Sequence, residues 1–199
     1  MIPFWTVNHF KFTLRVFDIY SSMSNTDAFQ MMMKASHSSE KNTKSGYSII
    51  RGLDTTEEEV CYLLQFDGLS EPNPGTSTGG AVMFYPNSRK VLFERGEFID
   101  HATNNQAEYT GLLIGIKSAI DLGIKQLLIE GDSKLVILQS EGKWKVKSDN
   151  LKNLNKETRD LLTHFDFVAI RHVYRDNNQY ADRITNDVLK SKKSFFKKM

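Results

Sequence analysis

The chain has 199 residues, 40% hydrophobic and 25% charged, which suits one ordinary soluble domain with an appendage. No stretch approaches the run of about 18 apolar residues that a membrane helix needs, and the single cysteine, Cys61, has no partner for an internal disulfide. A reducing compartment, such as the cytoplasm, is therefore expected. The net charge of +2 is unevenly spread: the stretch from Lys190 to Met199 holds five lysines and no acid. That tail reads as a solvated, phosphate-seeking arm or as a frayed, solubilising end.

Residues 1–59 differ in kind from the rest and are expected to form an extension. Phe10, Phe12, Leu14 and Val16 alternate with polar residues as in a strand, while Phe10, Leu14 and Phe17 fit a helix equally well. From Ser21 to Ser48 the chain is rich in Ser, Thr, Asn, Lys and Met without a sustained period, the signature of a disordered or loosely helical linker. The first twenty residues faintly resemble a mitochondrial presequence, against which Asp18 and Asp27 weigh.

A catalytic domain is expected over residues 60–190, with 191–199 as the basic tail. Three apolar runs, Cys61 to Phe66, Gly79 to Tyr85 and Lys90 to Phe98, read as strands of an antiparallel meander, with Pro86-Asn87-Ser88 as a turn. Thr103 caps a helix whose apolar stripe is Tyr109, Leu112, Leu113, Ile116, Ala119 and Ile120. Gly111 and Gly115, one turn apart, suit close approach to a sheet, and Gly123 supplies the stop. Gln126 to Glu130 is a strand and Ser133 to Gln139 a short helix. Ser148 caps a helix running to about His164, Phe165 to Val173 is the last strand, and Asn178 to Leu189 the last helix. The order β-β-β-α-β-α-α-β-α describes an α/β fold, a mixed sheet flanked by helices.

Four carboxylates, Asp67, Glu108, Asp132 and Asp182, each end or follow a hydrophobic run. Strand ends and helix starts gather at one edge of a sheet, so these acids can converge. Clustered carboxylates repel unless cations lie between them, and hard oxygen ligands favour Mg²⁺ or Mn²⁺. A pair of such ions is a standard device for phosphodiester chemistry. Taken singly, an Asp after a strand is ordinarily a turn former or a cap, Glu108 an exposed helix acid, and Asp182 a favourable charge at a helix start.

The phrases that carry the acids decide otherwise. Phe66-Asp67-Gly68 with Asn73-Pro74-Gly75, then Thr103-Asn104-Asn105-Gln106-Ala107-Glu108, Gly131-Asp132-Ser133-Lys134-Leu135-Val136, and Asn178-Gln179-Tyr180-Ala181-Asp182 follow in order. Residues 60–190, about two-thirds of the chain, resemble through them the ribonuclease H type 1 family, on its compact archaeal and plant-like branch without a basic handle.

The resemblance implies a ribonuclease H-like fold: five strands in the order 3-2-1-4-5 with the second antiparallel. All four acids would act as catalytic metal ligands for two Mg²⁺ ions about 3.5–4 Å apart, with Mn²⁺ able to substitute. The implied activity is endonucleolytic cleavage of RNA in RNA–DNA hybrids, leaving 5′-phosphate and 3′-hydroxyl ends, by a monomer. Double-stranded RNA is a second substrate that some compact members accept.

By the same resemblance Asn73 touches the nucleic-acid backbone and Thr103 a phosphate of the DNA strand. Gly68, Asn104 and Asn105 read the minor groove, where 2′-hydroxyls distinguish RNA. Lys134 adds a substrate contact at the start of its helix, and Asn178 lies beside the metals.

Two departures stand out. The loop Val173-Tyr174-Arg175-Asp176-Asn177-Asn178 lacks the histidine that many members carry, and Arg175 is the candidate for a phosphate-facing role there. A permanently charged guanidinium holds phosphate but does not shuttle protons. His172 reads as structural. The segment Glu141 to Lys147 is too short for a basic handle, although Trp144 and its flanking lysines form a stacking surface for the DNA strand if Trp144 is not a core plug. A non-enzymatic binding module and a 3′–5′ exonuclease are the competing readings. The first ordinarily lacks an acid, and the second wants an acid where Leu69 stands.

Overall fold

The computed structural model describes residues 46–52 and 61–199. The expected elements near Phe10 to Phe17, the presequence reading and nearly all of the Ser21 to Ser48 linker lie outside them. The strands are β1 (Ser48–Arg51), β2 (Tyr62–Glu71), β3 (Gly75–Phe84), β4 (Val91–Ala102), β5 (Gln126–Gly131), β6 (Phe167–His172) and β7 (Phe195–Lys198). The helices are α1 (Asn104–Asp121), α2 (Lys134–Ser140), α3 (Asp149–Leu162) and α4 (Gln179–Ser191), with a 3₁₀ turn at Arg175–Asn177. Among the described residues no helix is long and apolar enough to cross a membrane.

The strands form one sheet in the order β1-β6-β5-β2-β3-β4-β7. β2, β5 and β6 run parallel to one another, and β3 is antiparallel to both its neighbours. The inner five strands reproduce the expected order and sense. The sheet has seven strands rather than five, because a strand is added at each edge.

β1 falls within the stretch expected to be an extension, and it pairs with β6. Within the tail read as a solvated arm or a frayed end, Phe195–Lys198 forms β7, which pairs with β4 from Phe93↔Lys198 to Gly96↔Phe195. Phe195-Phe196-Lys197-Lys198 is too short a run to show a period by itself. The open backbone of β4 supplies the hydrogen-bond partners, and Phe195 packs on the cluster of Val82, Phe84, Ala181, Ile184 and Val188.

Successive residues of a strand point to opposite faces. A side chain added at Gly79 would meet the backbone of α1, and one at Gly80 would meet Ala181, Ile184 and Thr185 of α4. The helices therefore cover both faces. α1, with α2 and α3 beside it, closes the larger core of Leu64, Phe66, Tyr109, Leu112, Ile116, Leu127, Ile129 and Ile170, and α4 closes the smaller one. Tyr109 ties the three helices of the first face together: its hydroxyl donates to Gln139 Oε1 (2.9 Å) and accepts from Asn155 Nδ2 (3.1 Å).

Thr103 caps α1 in a reciprocal box with Gln106, as its position predicts. Ser148 occupies the cap position of α3 but makes no side-chain cap hydrogen bond, and neither does Ser133 at α2. The capping role expected of Ser148 is thus positional only.

The contact that shapes the site is between α1 and β2. A Cβ at Gly68 would fall 2.0 Å from the Glu108 amide nitrogen, and one at Gly111 would fall 2.3 Å from the Asp67 carbonyl oxygen. Helix and strand touch backbone to backbone there. Gly68→Ala is expected to force them apart, costing at least about 2 kcal/mol in urea unfolding and weakening divalent-cation binding as well. An alanine variant of wild-type stability and metal affinity would refute the close approach.

Candidate active site

Asp67 lies in the middle of β2, and Asp132 follows β5. The parallel pairing of these strands ends at Phe66↔Gly131, so each aspartate is the next residue after the last pair. β5 stops there while β2 continues against β3, which opens a notch at the edge of the central strand. Glu108, the fifth residue of α1, enters from above because Gly68 lets the helix in. Asp67, Glu108 and Asp132 each offer a carboxylate oxygen, and these lie within 4.8 Å of one another. Asp67 and Glu108 are buried and Asp132 half-buried.

Burial and neighbouring charge both oppose ionisation here. Asp67 is pushed up to about 6, first by burial, then by Asp132 and Asp182, against hydrogen bonds from Thr185 and the Gly68 amide. Glu108 is raised well above the usual carboxylate range by burial and then by Asp67 and Asp132, while Arg175 and the Gly68 amide pull it down. Glu108 Oε2 is buried with no hydrogen-bond partner among the described residues. An all-oxygen donor set with an unsatisfied inward oxygen fits a hard divalent cation.

Asp182 stands in the first turn of α4 but is not one of the three converging acids. Arg175 donates to its Oδ1, and Asn186 donates to its Oδ2 at 3.1 Å. Its charge still reaches Asp67. Thr185, one helical turn along, places its hydroxyl 3.0 Å from Asp67 Oδ2 and 2.8 Å from the Asp182 carbonyl. Asn178 is fully buried, and its Nδ2 donates to the Phe66 carbonyl (2.8 Å) and to Asp132 Oδ1 (2.9 Å). It therefore orients an acid from behind.

The remaining expected contacts divide. Gly68 is buried beneath α1. Asn73 and Asn104 come together across 31 residues, with Asn73 Oδ1 accepting from the Asn104 amide at 3.0 Å. Thr103 and Asn104 are half-buried, and Asn105, Lys134 and Arg175 are exposed. Asn73, Thr103, Asn104 and Asn105 thus line the start of α1, one turn ahead of Glu108. Trp144 is 48% exposed, so it is not a core plug. His172 Nε2 lies 3.2 Å from the Asp132 carbonyl, which only accepts.

The sequence reading overlooked Thr185, although its spacing of three from Asp182 places both on one helix face. It also overlooked Gln65 and Glu130, polar residues inside buried strands. Burial raises the Glu130 carboxyl, yet hydrogen bonds from Tyr47, Gln65 and Arg171 outweigh it and hold the group below its ordinary range. A cavity of about 650 Å³ opens beside the site, lined by Tyr47, Glu130, Arg171, His172, Tyr174 and Asn177 among others, and none of the four acids lines it.

A mixed sheet with this strand order, helices on both faces and carboxylates gathered at the central strand defines a ribonuclease H-like domain. Residues 65–188 match the family model described as reverse transcriptase-like. The chain belongs to that family, on its ribonuclease H type 1 branch.

It is 39% identical over 124 residues to ribonuclease HI of Halobacterium salinarum, covering 62% of each protein. The crystal structure of ribonuclease H1 from the same archaeon superposes with a TM-score of 0.63 at 37% identity, covering 65% of this chain and 98% of the other. A bifunctional protein of Mycobacterium tuberculosis is 39% identical over 127 residues, and the match spans 64% of this chain but only 35% of the relative. Its N-terminal RNase H domain superposes with a TM-score of 0.64 at 39% identity, covering 66% and 95% of the two chains. LC11 ribonuclease H1, solved in complex with an RNA/DNA hybrid, shares the fold at 24% identity and a TM-score of 0.62 over 66% of this chain and 98% of that one.

The raised acids make a pH prediction. Between the ordinary Asp value and about 6, the folded state holds a proton at Asp67 that the unfolded chain has lost. Without divalent cations, stability is therefore greatest at low pH within this window and falls as pH rises through 6. Asp67→Asn should flatten this dependence and exceed wild type at pH 8 by on the order of 2–3 kcal/mol in urea unfolding with EDTA. A variant less stable than wild type under those conditions would contradict the electrostatic account.

Proposed function

We propose that the chain is an endonuclease that hydrolyses the RNA strand of RNA–DNA hybrids, with Mg²⁺ as its metal and Mn²⁺ able to replace it. The observation that carries this reading is the convergence of Asp67, Glu108 and Asp132 within 4.8 Å at the edge of the central strand. The name of the halobacterial relative and the hybrid captured by the LC11 enzyme support it. Divalent ions held by such a site would supply Lewis acidity and ease deprotonation of the water that attacks phosphorus.

The chain's own residues do the rest. Asp67 and Glu108 give up their protons when cations bind, so affinity rises with pH as the two carboxyls ionise. Thr185 holds Oδ2 of Asp67 and Asn178 holds Oδ1 of Asp132, which orients both carboxylates toward a cation they would share. Asp182 completes the set of four once Arg175 releases it, and the freed guanidinium faces a phosphate of the bound strand.

The start of α1 docks the hybrid. The positive end of the helix dipole at Thr103 suits a phosphate of the DNA strand, with the Asn104 and Gln106 amides already taken by Asn73 and Thr103. Half-buried Asn104 and exposed Asn105 are the residues to read a 2′-hydroxyl. Asn73, Lys134 and exposed Trp144 with its lysines extend the surface along the duplex. Attack in line with the departing 3′ oxygen leaves 5′-phosphate and 3′-hydroxyl ends.

Asp67→Asn and Asp132→Asn should each abolish Mg²⁺-dependent cleavage of a labelled hybrid, with circular dichroism unchanged. A circular hybrid, which has no ends, should still be cut by the wild type. Full activity in either variant, or cleavage of linear substrate alone, would rule the proposal out.

A further inference from the structure

Behind the metal site lies a second polar layer that reaches out of the family-matched region. Gln65 and Glu130 are partners in the parallel register of β2 and β5, each two residues before an acid of the site. Residues two apart share a face, so the Gln65–Glu130 pair sits one step behind Asp67 and Asp132. Both hydrogens of the Gln65 amide are used: Nε2 donates to Glu130 Oε2 at 2.9 Å and to the Asn177 carbonyl at 3.0 Å. Asn177 ends the 3₁₀ turn that carries Arg175, and the next residue, Asn178, holds Asp132.

That turn buries none of its three residues, and the 650 Å³ cavity undercuts it at Tyr174 and Asn177. Packing does not locate it, so polar ties carry that task.

The outer end of this layer is Tyr47, which immediately precedes β1 and lies outside the matched residues 65–188. Tyr47 is buried, and its hydroxyl donates to Glu130 Oε1 at 2.5 Å. Arg171 also donates to Oε1, and its guanidinium lies 4.2 Å from the centre of the Tyr47 ring. β1 runs antiparallel to β6, with Ser48 opposite Ile170 and Arg51 opposite Val168, so Tyr47 is at the end of β1 nearer the site. At the other end Arg51 anchors the strand by donating from Nε to the Phe165 carbonyl at 2.7 Å.

We propose that Tyr47 is a positioning residue for the metal site, acting through Glu130 and Gln65 on the Arg175–Asn178 loop and so on Asp132. The proposal rests on the metal-dependent reading above. It gives Tyr47, just ahead of β1, a positioning role behind the acids, with Arg51 at the far end of the strand serving only to attach it.

The test uses the full-length chain and Mn²⁺ as the probe, with binding followed by calorimetric titration and hybrid cleavage measured separately. Tyr47→Phe removes one oxygen and keeps the ring against Arg171. It should weaken Mn²⁺ binding about 10-fold, in the range of lost outer-shell partners, and lower kcat while KM for the hybrid stays near wild type. Arg51→Ala should lower the unfolding midpoint yet leave Mn²⁺ affinity unchanged. Gln65→Leu should reproduce the Tyr47→Phe effect, and the double variant should fall short of the sum because both interrupt one chain.

Wild-type Mn²⁺ affinity in Tyr47→Phe, an equal loss in Arg51→Ala, or full additivity would each overturn the proposal. A wild-type protein that binds Mn²⁺ but cleaves no hybrid sinks the nuclease reading alone, and the titrations still judge Tyr47.

Discussion

Three carboxylates whose oxygens lie within 4.8 Å, two of them buried, are the constraint on which the rest of the structure turns. In water such a group would spread apart. Here the strands and helix that carry the acids are also the centre of the hydrophobic core, so the acids cannot separate without unpacking it. The repulsion is met in two ways. Proton loss from Asp67 and Glu108 is pushed to higher pH, and a few donors, Thr185, Asn178 and the Gly68 amide, face the acids. A divalent cation held by these acids would compensate the same charge, and its binding would be linked to their ionisation.

The missing side chains at Gly68 and Gly111 are what bring Glu108 into the group. They let α1 lie directly on β2, with backbone against backbone. The same descent buries Gly68 and sets the start of α1 at the notch. One packing decision therefore builds both the acidic site and the surface proposed to dock a nucleic acid.

Around the notch the chain differs from a minimal five-stranded domain at both edges. β7 covers β4, which would otherwise leave a row of open backbone groups. β1 covers β6 and brings Tyr47 to Glu130, so an added edge strand is coupled to residues behind the acids. Arg175 and Asp182 form another local element: a guanidinium now occupies one oxygen of the fourth acid, which is not among the converging three.

Much of this was legible in the chain. The helices and the five inner strands follow from apolar periodicity, turn residues and the Thr103 cap, because those signals are local. The four acids stand out because each sits in a distinctive phrase, and three of them, Asp67, Glu108 and Asp132, converge. What required the tertiary structure was everything that depends on a partner distant in sequence. β1 and β7 exist because β6 and β4 offer open edges. Asn73 meets Asn104, Thr185 meets Asp67, and Gln65 and Glu130 meet Tyr47 and Asn177 only after folding. Amino-acid order determines which groups are available and which elements they ride on. Their distances, protonation and pairing are set by burial and neighbouring charge, which no single segment carries.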